Sequence, residues 1–299
     1  MAGWRAEVVA AREDRLGEGP LWCPESRRLW WFDIFDAELC SYDPASGAVA
    51  ARRLAHKAHA LARGAYPWFL ATAHGLGVAW LNLETGAFRA IAHPEAGVAT
   101  NLLNDGRCDA AGDFWFASIH KQRAPEGALY RLDGAGAVQR LWGGIGTGNG
   151  LAFSPDGRWL YLVDTYVGIL RFPRSADGQG LGEPTLLLDA TLLQGLPDGM
   201  TLDCDGCLWV ALAHGGAVLR VTPAGKVDAT LGIPARFVTS CCFGDDDLGT
   251  LYVTTARIGR APAELAAYPE SGALFALRTG HQGLPEVRYA GAPPALGAA

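Results

Sequence analysis

Four side chains with good oxygen ligands stand next to glycine in this sequence. They lie in the segments Gly17-Glu18-Gly19, Asn104-Asp105-Gly106, Gly148-Asn149-Gly150 and Pro197-Asp198-Gly199. Asp-Gly and Asn-Gly pairs are usually turn residues, but glutamate has no such preference, and other Asp-Gly pairs occur at hairpin turns. Two carboxylates brought together inside a protein repel each other and take up protons unless a cation lies between them. The segments therefore predict a metal site, and the alternative is a purely structural polar network.

The expected ligand atoms are carboxylate and amide oxygens, without thiolate or imidazole. Such a set suits one hard divalent cation: Ca²⁺, Mg²⁺ or Mn²⁺, or Fe²⁺ or Zn²⁺ taken opportunistically. Three protein oxygens leave coordination positions for water and substrate, which is typical of a catalytic metal. The sequence leaves the identity of the cation open.

The elements that must position these residues are short strands in a repeating pattern. A turn followed by a bulky apolar strand recurs with an aromatic residue at positions 30, 69, 115, 161, 209 and 252, at spacings of 39, 46, 46, 48 and 43 residues. Four short strands in about 45 residues form one blade of a β-propeller. We predict an all-β, six-bladed β-propeller as a single domain over residues 1–299. A large β-sandwich is the alternative, but it would not keep so regular a phase.

The oxygen-bearing residues share one phase of this repeat. Counting back 11 or 12 residues from the aromatic positions reaches Glu18, Asn104, Asn149 and Asp198, and reaches Ala58 and Cys241 in the second and sixth repeats. The first strand of each propeller blade lines the central channel, so residues at one phase converge on the axis. The metal site is thus expected in the central channel.

The two ends of the chain are expected to close the ring. We predict that the strand near Glu7 to Ala10 pairs with the segment Glu286 to Ala290. The tail, residues 292–299, is rich in Ala, Pro and Gly and is expected to be disordered.

Composition excludes several classes of protein. The 299 residues are 49% hydrophobic, with 39 glycines and a net charge of −6. This is enough apolar content for a large core, and without a basic patch we expect no nucleic-acid partner. No signal peptide or apolar run of about 18 residues is present, so we expect a cytoplasmic protein without a membrane partner, and a monomer or weak oligomer. Seven cysteines suggest reduced, mostly buried thiols.

Several motifs are set aside. Cys204-x-x-Cys207 straddles an Asp-Gly turn and has no second pair, so turn geometry is favoured over zinc or redox chemistry. His56-x-x-His59 falls in the weakly patterned second repeat, where a loop is expected. The glycine-rich stretch 143–150 fits neither a dinucleotide-binding nor a P-loop motif. No Gly-x-Ser-x-Gly elbow is present, which argues against a serine hydrolase.

Longer motifs around these residues resemble those of the SMP-30/gluconolactonase/regucalcin-like family, in its bacterial sugar-lactonase branch. The motifs are Leu16-Gly-Glu-Gly-Pro-Leu-Trp22, Asn104-Asp-Gly-Arg-Cys-Asp109, Gly148-Asn-Gly-Leu-Ala-Phe-Ser-Pro-Asp-Gly157, Pro197-Asp-Gly-Met-Thr-Leu-Asp203 and Leu251-Tyr-Val-Thr-Thr-Ala-Arg257. The resemblance implies a six-bladed propeller that hydrolyses sugar lactones with one divalent cation. It implies Glu18, Asn149 and Asp198 as metal ligands, Asp198 as general acid/base, and Asn104 as a substrate contact.

One position departs from the family pattern. Where the family has arginine two residues before the Asn of Asn-Asp-Gly, this chain has Leu102, with Asn101 beside it. We expect Asn101 and His120 to contact the substrate, with Lys121 or Gln122 behind His120. The favoured lactone (glucono-, xylono- or arabinono-) stays open. The alternatives are a non-catalytic, calcium- or ligand-binding regulator of the regucalcin type and a paraoxonase-like esterase.

Overall fold

The structure is a computed structural model that describes residues 4–295, and within that range the strands form six four-stranded antiparallel sheets. Five of the sheets are built from four strands that are consecutive in the chain. The predicted six-bladed propeller is confirmed.

The blades follow the chain in order. Blade 1 holds β2 (Gly17–Cys23), β3 (Arg28–Asp33), β4 (Glu38–Asp43) and β5 (Ala48–Arg53), and blade 2 holds β6 (Ala58–Ala62), β7 (Trp68–Ala73), β8 (Gly77–Asn82) and β9 (Phe88–Ala92). Blade 3 holds β10 (Asn101–Cys108), β11 (Phe114–His120), β12 (Gly127–Leu132) and β13 (Val138–Ile145), and blade 4 holds β14 (Gly148–Phe153), β15 (Trp159–Asp164), β16 (Gly168–Pro173) and β17 (Thr185–Asp189). Blade 5 holds β18 (Leu196–Leu202), β19 (Leu208–Ala213), β20 (Ala217–Val221) and β21 (Val227–Gly232).

Blade 6 closes the ring with strands from both ends of the chain. It holds β22 (Val238–Gly244), β23 (Thr250–Thr255), β24 (Leu274–Arg278) and, outermost, β1 (Glu7–Ala10). The predicted partner of β1 was wrong: Glu7 pairs with Ala276 and Val8 with Phe275, rather than with residues 286–290. Without β1, β24 would be paired on one side only, with β23, whereas the later segment is held at the end of the channel by its bonds to Arg63 and Gly112.

The core lies between the blades. The buried side chains form six clusters, each shared by two neighbouring blades. The six aromatic residues that marked the repeat are all buried: Trp30, Phe69, Trp115, Tyr161, Trp209 and Tyr252. These aromatic residues lie in the second strand of each blade, which is packed on both faces and is therefore rich in apolar residues, and this made the repeat visible in the sequence.

The C-terminal segment crosses one end of the channel instead of joining a blade. The backbone oxygen of Gln282 accepts from Cys204, the backbone oxygen of Glu286 accepts from the Arg63 side chain, and the Ala290 amide donates to Gly112. A cavity of only about 30 Å³ on the axis is lined by first-strand residues of all six blades together with Glu286 and Val287. We call this the closed end of the channel.

Other elements are short. A 3-10 turn spans Ala190–Leu192, and α1 spans Pro262–Ala267 between β23 and β24. Residues 292–295 lie outside helices and strands, and the rest of the predicted disordered tail, residues 296–299, lies outside the described residues. Within residues 4–295, no helix combines the length and apolar character needed to cross a bilayer.

Candidate metal centre

The four predicted oxygen-bearing residues all lie in first strands of blades, three of them within the first three residues of the strand. Glu18 is in β2, Asn104 in β10, Asn149 in β14 and Asp198 in β18. Neighbouring first strands contact one another all the way round the ring. We call this the ligand end of the channel, opposite the closed end.

A backbone irregularity recurs at each of these four places. The pairing register between first and second strands shifts between Glu18 and Leu21, Leu103 and Gly106, Gly148 and Leu151, and Pro197 and Met200. A bulge of this kind breaks the ladder locally and re-aims side chains. The residues within each bulge, which include the predicted ligands or their neighbours, are therefore not paired regularly with the second strand.

Glycines beside the predicted ligands let the first strands approach closely. A Cβ on Gly19, whose φ is +58°, would lie 2.7 Å from the carbonyl oxygen of His59 in the next blade. A Cβ on Gly150 would lie 2.6 Å from the backbone nitrogen of Met200. Any side chain at either position would push neighbouring blades apart at the axis.

Three carboxyl groups share the channel. Burial, followed by the nearby charges of Asp198 and Asp105, raises the pKa of Glu18 well above its ordinary value. Burial and then Asp105 raise the pKa of Asp198 in the same direction. Burial also raises the pKa of Asp105 to about 6. The charge of Asp198 acts on Glu18, so these two carboxyls lie in the same part of the channel.

The amide side chains form a hydrogen-bonded chain beside these carboxyls. Asn104 Nδ2 donates to the Gly148 carbonyl at 3.0 Å and to Asn149 Oδ1 at 2.5 Å. Asn149 Nδ2 in turn donates to Thr165 Oγ1 at 2.7 Å. The amide of Asn149 is therefore held with its nitrogen away from Asn104 and its oxygen toward it.

The donor set fits a hard divalent cation. Within the described chain, no lysine or arginine contributes to the pKa of Glu18 or Asp198, so the half-buried Glu18 and the buried Asp198 share the channel without a cationic partner. Asn149 Oδ1 adds a neutral oxygen. Buried charges of one sign require either protons or a bound cation, and these oxygens are the ligands that hard cations prefer.

Asn101 and His120 lie side by side at the edge of blade 3. They are directly paired between β10 and β11. Asn101 Nδ2 donates to Glu95 Oε1 at 3.3 Å and to the Glu126 carbonyl at 3.2 Å. His120 is buried, and its Nδ1 accepts from the Ala124 amide at 3.1 Å, while its Nε2 lies 3.6 Å from the exposed Glu126 carboxylate. Both side chains are already engaged by blade 3 itself.

Leu102 lines a separate cavity at this rim. The cavity has a volume of about 230 Å³, and its lining includes Leu102, His74, His93, Glu95 and Lys121. Lys121 Nζ donates to the Ala99 carbonyl at 2.5 Å. Space and basic groups are therefore present near the position where the family pattern has arginine.

Two further residues near the predicted ligands were not assigned to the site from the sequence. His59 was expected in a loop, which was wrong: it lies in β6, and its Nδ1 is 3.0 Å from Asn104 Oδ1. The weak apolar pattern of the second repeat concealed this strand. Asp105 was regarded only as part of the Asn-Asp-Gly motif, although the bulge places its carboxyl in the channel.

A second group of potential ligands lies at the turn between β18 and β19 of blade 5. Asp203, Asp205 and His281 have ligand atoms within 4.8 Å of one another. However, Arg220 already pairs with Asp203 at 2.8 Å and with Asp205 at 2.9 Å. The neighbouring Cys204 and Cys207 are free thiols on the predicted turn, closed by a hydrogen bond from the Gly206 amide to the Asp203 carbonyl. A guanidinium occupies the place that a cation would take.

Fold and channel together define a six-bladed propeller with a carboxylate centre on its axis. The chain belongs to the family described as SMP-30/Gluconolactonase/LRE-like region, whose model matches residues 16–257. This confirms the family inferred from the motifs.

Three similar proteins cover nearly the whole chain. A 6-deoxy-6-sulfogluconolactonase of Pseudomonas putida is 35% identical over 95% of this chain and 98% of its own. An L-arabinolactonase of Azospirillum brasilense is 31% identical over 97% of each. The crystal structure of regucalcin from Agrobacterium tumefaciens, described as a calcium-binding protein, is 30% identical with a TM-score of 0.89, covering 97% of this chain and 99% of that chain.

Proposed function

We propose that this protein hydrolyses sugar lactones to aldonic acids with one divalent cation held by Glu18, Asn149 and Asp198. The observation that carries the proposal is the pair of buried, mutually repelling carboxyls next to an oriented amide oxygen. Membership in a family whose relatives include named sugar lactonases supports the reaction class.

The cation, when bound, polarises the lactone carbonyl and offsets the negative charge that develops on its oxygen. Asp198 accepts a proton from the attacking water as the water oxygen bonds to the carbonyl carbon. The bond from that carbon to the ring oxygen then breaks, and Asp198 returns the proton to the ring oxygen. Glu18 stays ionised and balances charge, and the bulged first strands keep both carboxyls in place.

The substrate would lie over the ligand end, where we propose contacts from Asn104, Asn101 and His120. Asn104 is nearest to the predicted ligands because it touches Asn149 directly. For His120, the group left for a substrate hydroxyl is Nε2, since Nδ1 is taken by backbone amides. Contact through Nε2 requires the exposed Glu126 carboxylate to move aside.

The substrate class follows from the relatives and from the rim. Glucono-, xylono- and arabinonolactone are the neutral candidates, and 6-deoxy-6-sulfogluconolactone is an anionic one. Burial is the largest cause that lowers the pKa of His74, and the positive charges of Lys121 and Lys57 lower it further. These basic groups therefore lie close together at the rim. Such a group favours an anionic substituent on the sugar.

The test is a panel of these four lactones, assayed with a pH indicator on protein stripped with a chelator and reloaded with each divalent cation. We expect hydrolysis to fall by about 10³-fold on stripping and to return with at least one of Ca²⁺, Mg²⁺, Mn²⁺, Fe²⁺ or Zn²⁺. Full activity in stripped protein would contradict the proposal. Tight cation binding without turnover of any lactone would favour the regulatory, regucalcin-type alternative, and turnover of simple aryl esters alone would favour a paraoxonase-like esterase.

A further inference from the structure

His59 touches the candidate metal centre but has no part in the proposed reaction. It is half-buried in β6, and its Nδ1 lies 3.0 Å from Asn104 Oδ1. Its ring meets that of His74 edge-on, with 6.1 Å between ring centres. The oxygen-bearing ligands come from blades 1, 4 and 5, so His59 is the contribution of blade 2 to the same level of the channel.

The hydrogen bonds around Asn104 fix which nitrogen of His59 carries the proton. The Gly148 carbonyl can only accept, so the Asn104 atom 3.0 Å from it is the amide nitrogen. The oxygen of that amide therefore faces His59, and it too can only accept. His59 must donate from Nδ1, which leaves a lone pair on Nε2.

The neutral form of the ring agrees with this assignment. Burial, together with the positive charges of His74 and Lys57, lowers the pKa of His59 to about 4, although the hydrogen bond to Asn104 acts in the opposite direction. At neutral pH the ring thus has one N–H group, and this group donates its hydrogen bond to Asn104 Oδ1.

Asn104, once oriented by His59, in turn orients Asn149, which is a predicted cation ligand. Asn104 Nδ2 is 2.5 Å from Asn149 Oδ1, and the nitrogen of Asn149 is tied to Thr165. If Asn104 turned over, its oxygen would face the oxygens of Gly148 and Asn149. Partners of this kind, one step removed from a metal, orient ligands, and their loss typically costs about 10–100-fold in metal affinity.

We infer that His59 is a positioning residue of the cation site, whose Nδ1–H holds Asn104 so that Asn104 in turn holds the Asn149 oxygen toward the cation. The inference rests on the proposed cation site.

The first measurement does not depend on metal or turnover. Long-range ¹H–¹⁵N NMR of the metal-free protein at pH 7 should show His59 protonated at Nδ1, the less common neutral tautomer. A proton on Nε2 would overturn the inference, because Asn104 Oδ1 would then lack its donor.

The second measurement is the Kd of Ca²⁺ and Mn²⁺, by calorimetry, for a matched series of variants. His59→Asn keeps an N–H near the Nδ1 position, His59→Gln moves it toward the Nε2 position, and His59→Leu removes it. We expect His59→Leu and His59→Gln to weaken cation binding about tenfold or more, and His59→Asn to stay within about threefold of the wild type. His56→Leu is the control, because the His56 ring contacts the His74 carbonyl rather than Asn104.

The outcomes separate this inference from the proposed function. Two outcomes would overturn the role of His59 and leave the proposed function standing, provided that the wild type binds the cation. One is an unchanged cation affinity in His59→Leu, and the other is an equal loss of affinity in His59→Asn and His59→Leu. Absence of cation binding by the wild type contradicts the proposed function and this role together. If His59→Leu fails to fold, as judged by circular dichroism, the comparison of His59→Asn with His59→Gln decides.

Discussion

Acidic side chains occupy both ends of the channel, but those at the closed end form ion pairs with arginine, whereas no lysine or arginine contributes to the pKa of Glu18 or Asp198 at the ligand end. There, Glu286 pairs with Arg107 at 2.9 Å, and Glu25 pairs with Arg63 at 2.7 Å. The net pKa of Glu25 is lowered: partial burial raises it, but a backbone hydrogen bond and the Arg63 charge outweigh that effect.

At the ligand end the pKa shifts have the opposite sign. Glu18 and Asp198 have pKa values well above the ordinary range because of burial and neighbouring carboxyls. The same type of side chain is thus neutralised by arginine at one end and left without a counter-charge at the other. The proposed cation site accounts for this difference: a positive charge from outside the chain would balance the ligand end, whereas the acidic groups of the closed end are already paired with arginine.

Isosteric substitutions at the two ends should have the largest and most divergent effects. We expect Asp198→Asn to reduce lactone hydrolysis by about 10³-fold and Glu286→Gln to stay within about threefold of the wild type. In metal-free protein the two substitutions should change stability in opposite directions. Asp198→Asn removes a buried carboxyl that the fold must keep protonated and raises Tm, whereas Glu286→Gln removes the ion pair with Arg107 and lowers Tm, at a cost of about 2 kcal/mol.

Activity on gluconolactone and Tm by calorimetry check both statements, with Glu18→Gln as a second variant at the ligand end. A loss of stability in metal-free Asp198→Asn as large as that in Glu286→Gln would show that the two ends do not differ in charge balance.

The pH dependence of stability should distinguish metal-free from cation-loaded protein. Glu18 and Asp198 keep protons in the folded chain at pH values where the unfolded chain has lost them. The free energy of unfolding of metal-free protein should therefore fall as pH rises from about 4 through the raised pKa values, by about 1.4 kcal/mol per pH unit for each such proton. Bound cation replaces these protons, so the fall should be smaller in loaded protein.

The measurement is Tm between pH 4.5 and 7.5 with chelator and with saturating Ca²⁺. Asp14, whose burial raises its pKa to about 6, contributes equally to both series, so the difference between them is the informative quantity. Parallel curves would contradict the assignment of the raised pKa values to the cation site.

The smallest expected effect comes from introducing an arginine at the rim of the ligand end. Leu102→Arg would place a guanidinium at the rim, and a charge-assisted hydrogen bond to a sugar hydroxyl is worth about 1.5–3 kcal/mol. We expect KM to fall about tenfold or more for the lactones that the new group reaches, with kcat changed less. Leu102→Met is the control, and an unchanged preference between pentono- and hexonolactones would show that position 102 does not set specificity.

The sequence alone determined the blade pattern and the phase of the candidate site. Aromatic residues at near-constant spacing are a local signal, because the second strand of each blade is packed on both faces whatever its neighbours are. Four oxygen-bearing residues at one phase of the same repeat could be predicted to lie in the channel, because the first strand of each blade lines it.

Only the tertiary structure decided how the ring closes and what surrounds the site. β1 pairs with β24, whereas residues 286–290 bond to Arg63 and Gly112 at the closed end, and this choice depends on the packing of the complete ring. The contact of His59 with Asn104, and the entry of Asp105 into the channel, depend on bulges in strands of different blades. Such contacts join residues distant in sequence through backbone irregularities, and neither hydropathy nor spacing along the chain encodes them.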